Sequence, residues 1–241
     1  MESSAPSQRT ESHYRARTRG GNLILYWVCR GLVEIVLFTY FRLDKIGREH
    51  IPRTGAAIIA SNHRSFIDPW VIGTMARRPI YYVAKSELFR NPFLAWFLSA
   101  LGAFPVQRGV GDQDTIRTAH ELLARGEIVL IFPEGTRTRP GPLGNPKRGV
   151  GRLALESGAP VIPVAIFGTE DVRKGVLLRP RKIRVRAGRA LQFPRVEPAS
   201  PVLAQAVVDR VWPRVSLQWE WLGGTPADQR QAERPELARV A

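Results

Sequence analysis

The sequence predicts an α/β fold in which a mostly parallel central sheet is flanked by helices. Short apolar runs alternate along the chain with longer stretches of helical character, as in folds where a helix follows each strand. Two runs, Val161–Phe167 and residues 128–132, are apolar throughout, which is typical of strands buried on both faces of a parallel sheet. With 241 residues, 44% of them hydrophobic, the chain is long enough for one domain with its own core.

The other strands follow from the same kind of local pattern. Apolar strands are predicted at residues 56–61, 80–84 and 104–106. Lys182, Arg184 and Arg186 alternate with apolar residues, which indicates a strand with one solvated, basic face.

Capping residues mark the ends of the predicted helices. Helices are expected at residues 92–101, 112–125 and 201–211. Asp112 is the expected N-cap of the second helix, and Gly126 follows its end. Ser200 should cap the third helix with Pro201 as its first residue, and Pro213 should prevent it from continuing.

Composition divides the chain into four segments. Residues 1–22, rich in Ser, Arg and Thr, are predicted to be a disordered basic arm, and residues 223–241 a disordered tail. Residues 23–45 form an apolar helical segment, and residues 46–222 form the folded α/β domain. Most of the basic charge and the apolar segment therefore both lie within residues 23–222.

The chain is strongly basic. It has 36 Lys and Arg residues against 21 Asp and Glu, a formal net charge of +15, and about +13 of this lies on residues 23–222. Such a surplus indicates an anionic partner, which can be nucleic acid, an acidic membrane surface or a phosphorylated substrate. The single cysteine, Cys29, excludes an internal disulfide framework and fits a reducing compartment.

The apolar segment has the character of a membrane-associated helix. All but four of residues 23–41 are apolar, and a helix of that length is about 28 Å long, marginal for a hydrocarbon core of about 30 Å. Arg30 and Glu34 share one face, where they can pair. Basic residues flank both ends of the segment, which suits a helix embedded in, or lying along, one anionic leaflet. A buried core helix is the alternative.

Polar clusters follow three of the predicted strands. They lie at residues 62–68, 107–109 and 133–137. Open α/β sheets bind ligands at the carboxyl ends of their strands, so a parallel sheet would bring all three clusters to one crevice.

The first cluster contains a candidate base. His63 and Asp68 point about 140° apart on a continuous helix, but they can meet if His63 lies in a turn before the helix. Ser65 could cap the helix with Asp68 as its capping-box partner, or Asp68 could cap it with Pro69 in the first position. A carboxylate on Nδ1–H leaves Nε2 of His63 as a base. No nucleophile motif accompanies the pair, so the base would act on a hydroxyl of the substrate. The alternative for Asp68 is a simple helix cap.

Two arginines form a candidate anion site. Arg108 precedes Gly109 and Arg137 follows Gly135, so both guanidinium groups lie in turns where a phosphate or carboxylate can be held. Glu134 could orient a substrate hydroxyl or hold an arginine in place. The sequence contains no metal-ligand spacing, dinucleotide fingerprint or Walker loop. The nine Lys and Arg residues of 173–195 lack the interleaved aromatic residues of a nucleic-acid-binding sheet.

Four motifs resemble those of the glycerophospholipid acyltransferases, specifically the 1-acyl-glycerol-3-phosphate acyltransferases. The first, Asn-His-x-Ser-x-x-Asp, matches Asn62, His63, Ser65 and Asp68. The second matches Lys85 to Leu88 with the run 102–108, the third is the intact Phe-Pro-Glu-Gly-Thr-Arg of residues 132–137, and the fourth is the Val-Ile-Pro-Val of residues 161–164. The four motifs occur in the family's order within residues 62–166.

This resemblance implies the fold of that family, with residues 46–222 as the acyltransferase domain, and a reaction. An acyl group would move from acyl-CoA or acyl-carrier protein to the free hydroxyl of 1-acyl-glycerol-3-phosphate, giving phosphatidate, with no cofactor or metal. His63 would be the base and Asp68 would orient it. Arg108, Arg137 and the Glu134-Gly135-Thr136 turn would bind the acceptor phosphate. Asn62, Ser65, Lys85 and Pro163 would support the acyl site, and a backbone N–H near Pro163 would stabilise the oxyanion.

The resemblance also implies a location and leaves alternatives open. The expected place is the cytoplasmic face of the cell membrane, reached peripherally or monotopically through residues 23–45, with an anionic membrane surface as partner and no nucleic acid. A second enzymatic hypothesis keeps the chemistry but changes the acceptor to another lysolipid, an amino-lipid or a glycolipid. A third, from a different class, is a non-catalytic basic module that binds anionic lipid or nucleic acid.

Overall fold

A seven-stranded sheet forms the centre of the molecule. The computed structural model describes residues 12–14, 16, 22–106, 113–138, 141–170, 172–174 and 177–224. The strands of the sheet are β1 Asp44–Ile46, β2 Ala57–Ser61, β3 Ile80–Lys85, β4 Ala103–Val106, β5 Ile128–Ile131, β6 Val161–Phe167 and β9 Arg184–Ala187, and a separate pair is formed by β7 Arg173–Lys174 and β8 Leu177–Leu178. The helices are α1 Leu23–Thr39, α2 Asp68–Met75, α3 Pro92–Ala100, α4 Gln113–Ala124, α5 Gly149–Ser157 and α6 Pro201–Trp221.

The strand order is β1-β9-β6-β2-β5-β3-β4. Every neighbouring pair is parallel except β6 and β9, which run antiparallel. All five residues of β2 are buried, and so are the first six of β6, as expected for strands covered on both faces. The prediction of a mostly parallel sheet with helices around it is therefore confirmed.

Helices cover both faces of the sheet. Alternate residues of β2 face opposite cores: Ala57 and Ile59 pack with α1, α2 and α3, whereas Ile58 and Ala60 pack with α4, α5 and α6. This two-residue alternation is the strand period. Strand β9, which lies between β1 and β6, shows the same period with only one face covered, because Val185 is buried while the flanking arginines are half-buried. The predicted strand with one basic face is confirmed.

Two arginines bind the last turn of α2, Arg30 from α1 and Arg48 from the segment that follows β1. Arg30 Nη2 donates to the carbonyl oxygen of Thr74 over 3.3 Å, and Arg48 Nε donates to that of Met75 over 3.0 Å. These are the last carbonyls of α2, where cations are favourable because the helix dipole is negative at that end. Arg30 also pairs with Glu34 at 3.8 Å, as predicted, and its burial lowers the pKa of the guanidinium.

Helix α6 does not end where the sequence analysis placed its end. Ser200 caps it as predicted, accepting a hydrogen bond from the Leu203 N–H over 3.2 Å, but the helix continues through Pro213 to Trp221. The prediction that the helix stops before the proline is wrong. Val211, Val215 and Trp219 recur every four residues and are all buried, so packing along this face outweighs the one backbone hydrogen bond that proline removes.

The start of the chain also differs from its prediction. Residues 12–14 and 16 are helical, and His13 is buried, with its Nδ1 2.8 Å from Thr118 Oγ1. Arg125 Nη2 donates to the carbonyl oxygen of Ala16 over 2.8 Å. At these residues the prediction of a disordered arm is wrong, since the segment packs on α4. The predicted cap Asp112 and residues 225–241 of the predicted tail lie outside the described residues.

The described part of the chain has no helix long and apolar enough to cross a bilayer. Helix α1 extends over 17 residues, and its inner face includes the buried residues Tyr26, Arg30 and Leu37. Its outer face is apolar and exposed to solvent.

A buried carboxylate joins α4 and α5 on the face opposite α1. Glu156 lies 2.8 Å from Arg152 Nε and 3.0 Å from His120 Nε2. Burial alone would raise the pKa of this carboxyl, but the bonds from Arg152 and His120 outweigh it and hold the pKa below its usual value. The ionised form therefore stabilises the fold.

We expect the Glu156→Gln variant to lose about 1–3 kcal/mol of unfolding free energy at pH 7, because the donors around it lose a charged acceptor. The folded-state pKa is depressed, so the contribution is present above the unfolded pKa of about 4.3 and is lost as the pH falls through the folded value. Urea unfolding at pH 7 and in acid measures this. The matched control is Glu121→Gln, which removes an exposed pair with Arg117 and should change stability by less than about 1 kcal/mol. Equal effects of the two variants, or a difference that persists in acid, would contradict the assignment.

Candidate active site

Two of the three predicted polar clusters meet at one edge of the sheet. Strands β2 and β5 are parallel neighbours with Ala60 opposite Ile131, so the segments that follow them emerge side by side. Thr138 joins the two segments, because its N–H and its hydroxyl both donate to the carbonyl oxygen of His63, over 2.9 and 3.2 Å. The third cluster, which contains Arg108, lies outside the described residues.

The His63 ring lies against the Asp68 carboxylate. Nδ1 of His63 is 2.8 Å from Oδ2 of Asp68. The same oxygen accepts the backbone N–H of Arg64 over 2.6 Å and that of Ser65 over 2.7 Å. The residue before α2 is Ile67, which has no side-chain cap bond, and α2 begins at Asp68 itself, so neither Ser65 nor Asp68 is the N-cap that the sequence analysis considered. The predicted geometry, with the histidine in the turn and the aspartate in the first helical turn, is the one that the structure has.

This arrangement defines the chemistry of the imidazole. Asp68 is completely buried and His63 is 8% exposed. An imidazole that donates Nδ1–H to a carboxylate presents Nε2 as its basic nitrogen, and a buried carboxylate favours the imidazolium that forms when Nε2 takes a proton. The ring stacks on Phe132 with centroids 4.0 Å apart and planes at 18°, so packing fixes its orientation as well.

Asn62 fastens the end of β2 to β6. Its side-chain amide donates to the carbonyl oxygen of Ile166 and accepts the Ile166 N–H, each over 2.9 Å. The residue is fully buried, so both bonds replace contacts with water that the backbone of Ile166 cannot make. Asn62 therefore positions the histidine that follows it, which agrees with its predicted supporting role.

Glu134 points into the protein. It is 4% exposed, and its Oε1 accepts the Gly144 N–H over 3.4 Å. Burial raises the pKa of the carboxyl, and the positive charge of Arg64 opposes this shift. The carboxylate is directed toward its own loop, and both predicted roles of Glu134 stay predictions.

The residues after Glu134 turn outward. Gly135 has a φ of +72°, a conformation that favours glycine, and its N–H donates to the carbonyl oxygen of Phe132 over 3.0 Å. Thr136 and Arg137 are exposed. The turn therefore presents a hydroxyl and a guanidinium to solvent beside the segment that carries His63.

Two of the predicted supporting residues, Lys85 and Pro163, are not brought to the His63–Asp68 pair. Lys85 ends β3, with its ammonium group 2.9 Å from Glu87 in an exposed ion pair. Pro163 lies inside β6 opposite Ala60, and its carbonyl oxygen accepts the Gly188 N–H over 2.8 Å. A proline has no N–H to donate, and the nearby Ile166 N–H is bound by Asn62. Neither Pro163 nor Ile166 supplies an oxyanion donor, and the expectation of a backbone N–H donor near Pro163 stays a prediction.

Three residues of the site were missed by the sequence analysis. Phe132 supplies the stacking surface for His63, Thr138 bonds the His63 carbonyl, and the buried Arg64 reaches the carbonyl oxygen of Gly141 over 2.5 Å. All three adjoin residues that motif spacing did identify. Adjacency was the available signal, but it does not reveal which way a side chain points.

Within the described part of the chain, no group of three or more His, Cys, Asp or Glu side chains is arranged to hold a metal ion. The residues that do converge are a histidine, a buried carboxylate and an arginine-bearing turn. These are the groups that general-base catalysis on a hydroxyl requires, together with a guanidinium of the kind that binds anions.

Comparison with known proteins agrees with this class of site. An acyltransferase family model matches residues 42–167. The chain is 32% identical over 169 residues to a 1-acyl-sn-glycerol-3-phosphate acyltransferase of Bacillus subtilis, covering 69% of this chain and 82% of the relative. It is 37% identical over 115 residues to a lyso-ornithine lipid O-acyltransferase of Pseudomonas aeruginosa, covering 46% of this chain and 43% of that one. The chain belongs to the acyltransferase family, and the resemblance seen in its motifs is confirmed.

A solved structure confirms the fold. The 1-acyl-sn-glycerophosphate acyltransferase PlsC from Thermotoga maritima superimposes with a TM-score of 0.62 over 86% of each chain, at 24% identity.

The chain spans 42% and 43% of the length of two plant chloroplast relatives that it also matches.

Proposed function

We propose that this protein transfers a fatty acyl group from acyl-CoA or acyl-carrier protein to the free hydroxyl of 1-acyl-glycerol-3-phosphate. The observation that carries the proposal is the 2.8 Å contact between His63 and Asp68, formed at the motif positions of an acyltransferase-family chain. The name of the Bacillus subtilis relative supports this acceptor.

The proposed mechanism uses His63 as a base. Nε2 removes the proton of the acceptor hydroxyl while that oxygen attacks the thioester carbonyl. The tetrahedral intermediate then expels the thiolate, which takes the proton from the imidazolium and leaves as a thiol. Asp68 stabilises the imidazolium between the two steps, and it holds Nδ1 so that Nε2 faces the substrate.

Arg137 is the proposed ligand of the acceptor phosphate. It is exposed at the end of the Gly135 turn, and a guanidinium can grip two phosphate oxygens at once. Thr136 can add its hydroxyl. Arg108 stays a prediction for the same role. A phosphate fixed at this turn would hold the acceptor hydroxyl near the neighbouring imidazole.

A second acceptor class is supported by one observation. The Pseudomonas aeruginosa relative, at 37% identity, is named for a lyso-ornithine lipid. Assays that offer lysophosphatidate and lyso-ornithine lipid separately and together distinguish the two acceptors, because the true acceptor supports thiol release alone and is acylated in preference to the other when both are present.

We further propose that α1 contacts the cytoplasmic leaflet peripherally or monotopically. Large apolar side chains are exposed along its outer face, at Leu23, Ile24, Trp27, Val28, Leu32, Ile35, Val36 and Phe38. On the same side of the sheet, α3 exposes Phe93 and Trp96. An apolar surface of this extent on a chain of charge +15 suits the interface of an anionic membrane. The free Cys29 fits the reducing cytoplasmic side.

The base is tested by the His63→Ala variant. Thiol release from acyl-CoA and from acyl-carrier protein, each with lysophosphatidate, should fall by about 10²- to 10⁴-fold in kcat, because the hydroxyl loses its proton acceptor. Thermal unfolding should show an intact fold. Retained activity in a folded variant would reject His63 as the base, and a wild type that releases no thiol with either donor would reject the proposed reaction.

Removal of the Arg137 guanidinium should weaken binding of the acceptor and leave binding of the acyl donor unchanged. The Arg137→Ala variant should raise the KM for lysophosphatidate about 10- to 100-fold, the equivalent of one lost charge-assisted contact, with the donor KM nearly unchanged. The control is Arg117→Ala, an exposed arginine on α4 that should leave both constants unaltered. A change in the donor KM only would place Arg137 at the other substrate.

Membrane contact is tested with the triple variant Leu32→Ser, Ile35→Ser and Phe38→Ser. Its partition onto vesicles that contain phosphatidylglycerol should fall at least about tenfold, because each apolar side chain contributes to burial in the interface. The control, Val202→Ser with Leu203→Ser, changes two exposed apolar residues of α6 on the other face. Binding that is indifferent to the triple change, to salt or to anionic lipid would contradict the proposed surface.

A further inference from the structure

The far end of α6 reaches the candidate active site. Because α6 continues past Pro213, Trp219 comes to lie beneath the segment that carries His63. Trp219 is 3% exposed and packs with Ala165 and Leu222. Its ring centroid is 6.4 Å from that of Phe167, the last residue of β6, so it stands at the edge of the sheet where β2 delivers His63.

The guanidinium of Arg64 lies on this tryptophan. Its Cζ is 5.4 Å from the centroid of the Trp219 ring, within the distance at which a cation is attracted to an aromatic face. Arg64 is 6% exposed, and the attraction is stronger for a cation that has lost most of its water. The ring therefore supports a charge that burial alone would disfavour.

The Arg64 guanidinium also contacts the loop between β5 and α5. Nη2 of Arg64 donates to the carbonyl oxygen of Gly141 over 2.5 Å, and its positive charge acts on the buried carboxylate of Glu134. The backbone N–H of Arg64 donates to Asp68. Arg64 thus contacts Asp68 through its backbone and the loop at Gly141 through its side chain.

We propose that Trp219 and Arg64 are positioning residues of the acyl-transfer site, the indole holding the guanidinium and the guanidinium holding the loop at Gly141, which follows the turn of Thr136 and Arg137. This inference rests on the proposed function for its kinetic consequence. If the turn loses that support, Thr136 and Arg137 are no longer kept at the distance from His63 that an acceptor phosphate and hydroxyl require, and small displacements of this kind slow catalysis strongly.

The test compares two tryptophans of one helix. Trp219→Leu should raise the KM for lysophosphatidate about tenfold or more while kcat changes less, and Trp219→Phe should keep most of the wild-type value, because a phenyl face still attracts the cation. The matched control is Trp221→Leu. It removes an exposed tryptophan that lies 4.7 Å from Arg186, and it should change neither constant. Equal effects of the two leucine variants, or no rescue by phenylalanine, would overturn the proposal.

A second pair of variants covers the case in which Trp219→Leu does not fold. Arg64→Gln removes the guanidinium and its charge but keeps a shorter, uncharged polar side chain, and it should raise the same KM. Arg64→Lys should fail to restore it, because an ammonium group lacks the planar fork that stacks on a ring. An unchanged KM in folded Arg64→Gln protein would overturn the proposal. In the double variant Trp219→Leu with Arg64→Gln, the two effects on KM should not add, because the two side chains act together. Additive effects would show that they act independently and would overturn the proposal.

An independent readout separates this inference from the proposed reaction. Trypsin cleavage after the exposed Arg137, followed by mass spectrometry, should be faster in Trp219→Leu and Arg64→Gln than in wild type or Trp221→Leu, because the turn loses its support. Cleavage at an unchanged rate would reject the positioning role. A wild type without lysophosphatidate-dependent thiol release would reject the proposed function, and the cleavage rates would still decide the inference.

Discussion

The site depends on one oxygen atom, Oδ2 of Asp68. It accepts three donors at once: the imidazole of His63 and the backbone N–H groups of Arg64 and Ser65. A wholly buried carboxylate is tolerable only when such donors compensate for the lost water. Here the compensating groups are the catalytic ring and the turn that carries it. Removal of any of them would leave the charge poorly paired, so the requirement to satisfy Asp68 also fixes the position of His63.

The parallel sheet explains why this pair has its partners at hand. Strands β2 and β5 are neighbours that run in the same direction, so their carboxyl ends open at one edge. Asn62 fixes the first end to β6 through both polar groups of Ile166. Thr138 bridges the first end to the segment after β5. Rigid strands therefore set the spacing between His63, the proposed base, and the turn that carries Arg137, while short polar contacts set their orientation.

The sequence was sufficient to predict the structure wherever the features involved are close together in the chain. Strand β6 is an uninterrupted apolar run bounded as predicted, and the relation of His63 to Asp68 follows from turn geometry within six residues. It was insufficient where distant packing decides. The burial of Val215 and Trp219 carries α6 through a proline, and the placement of Arg64 on Trp219 joins residues far apart in the chain. Such contacts depend on which faces meet across the sheet, and a one-dimensional pattern does not contain that information.

Helix α1 combines two roles that an apolar stretch alone does not suggest. Its outer face is a row of exposed apolar side chains, the surface proposed to meet the membrane. Its inner face carries Arg30, whose Nη2 bonds the last turn of α2 at Thr74. Because α2 begins with Asp68, one rigid helix connects that arginine to the carboxylate that orients His63. A protein whose acceptor is a lipid needs its base at a constant depth relative to the leaflet. With α1 in the interface, the arginine contact at one end of α2 and the carboxylate at the other would fix that depth through the fold, without any hinge between membrane contact and chemistry.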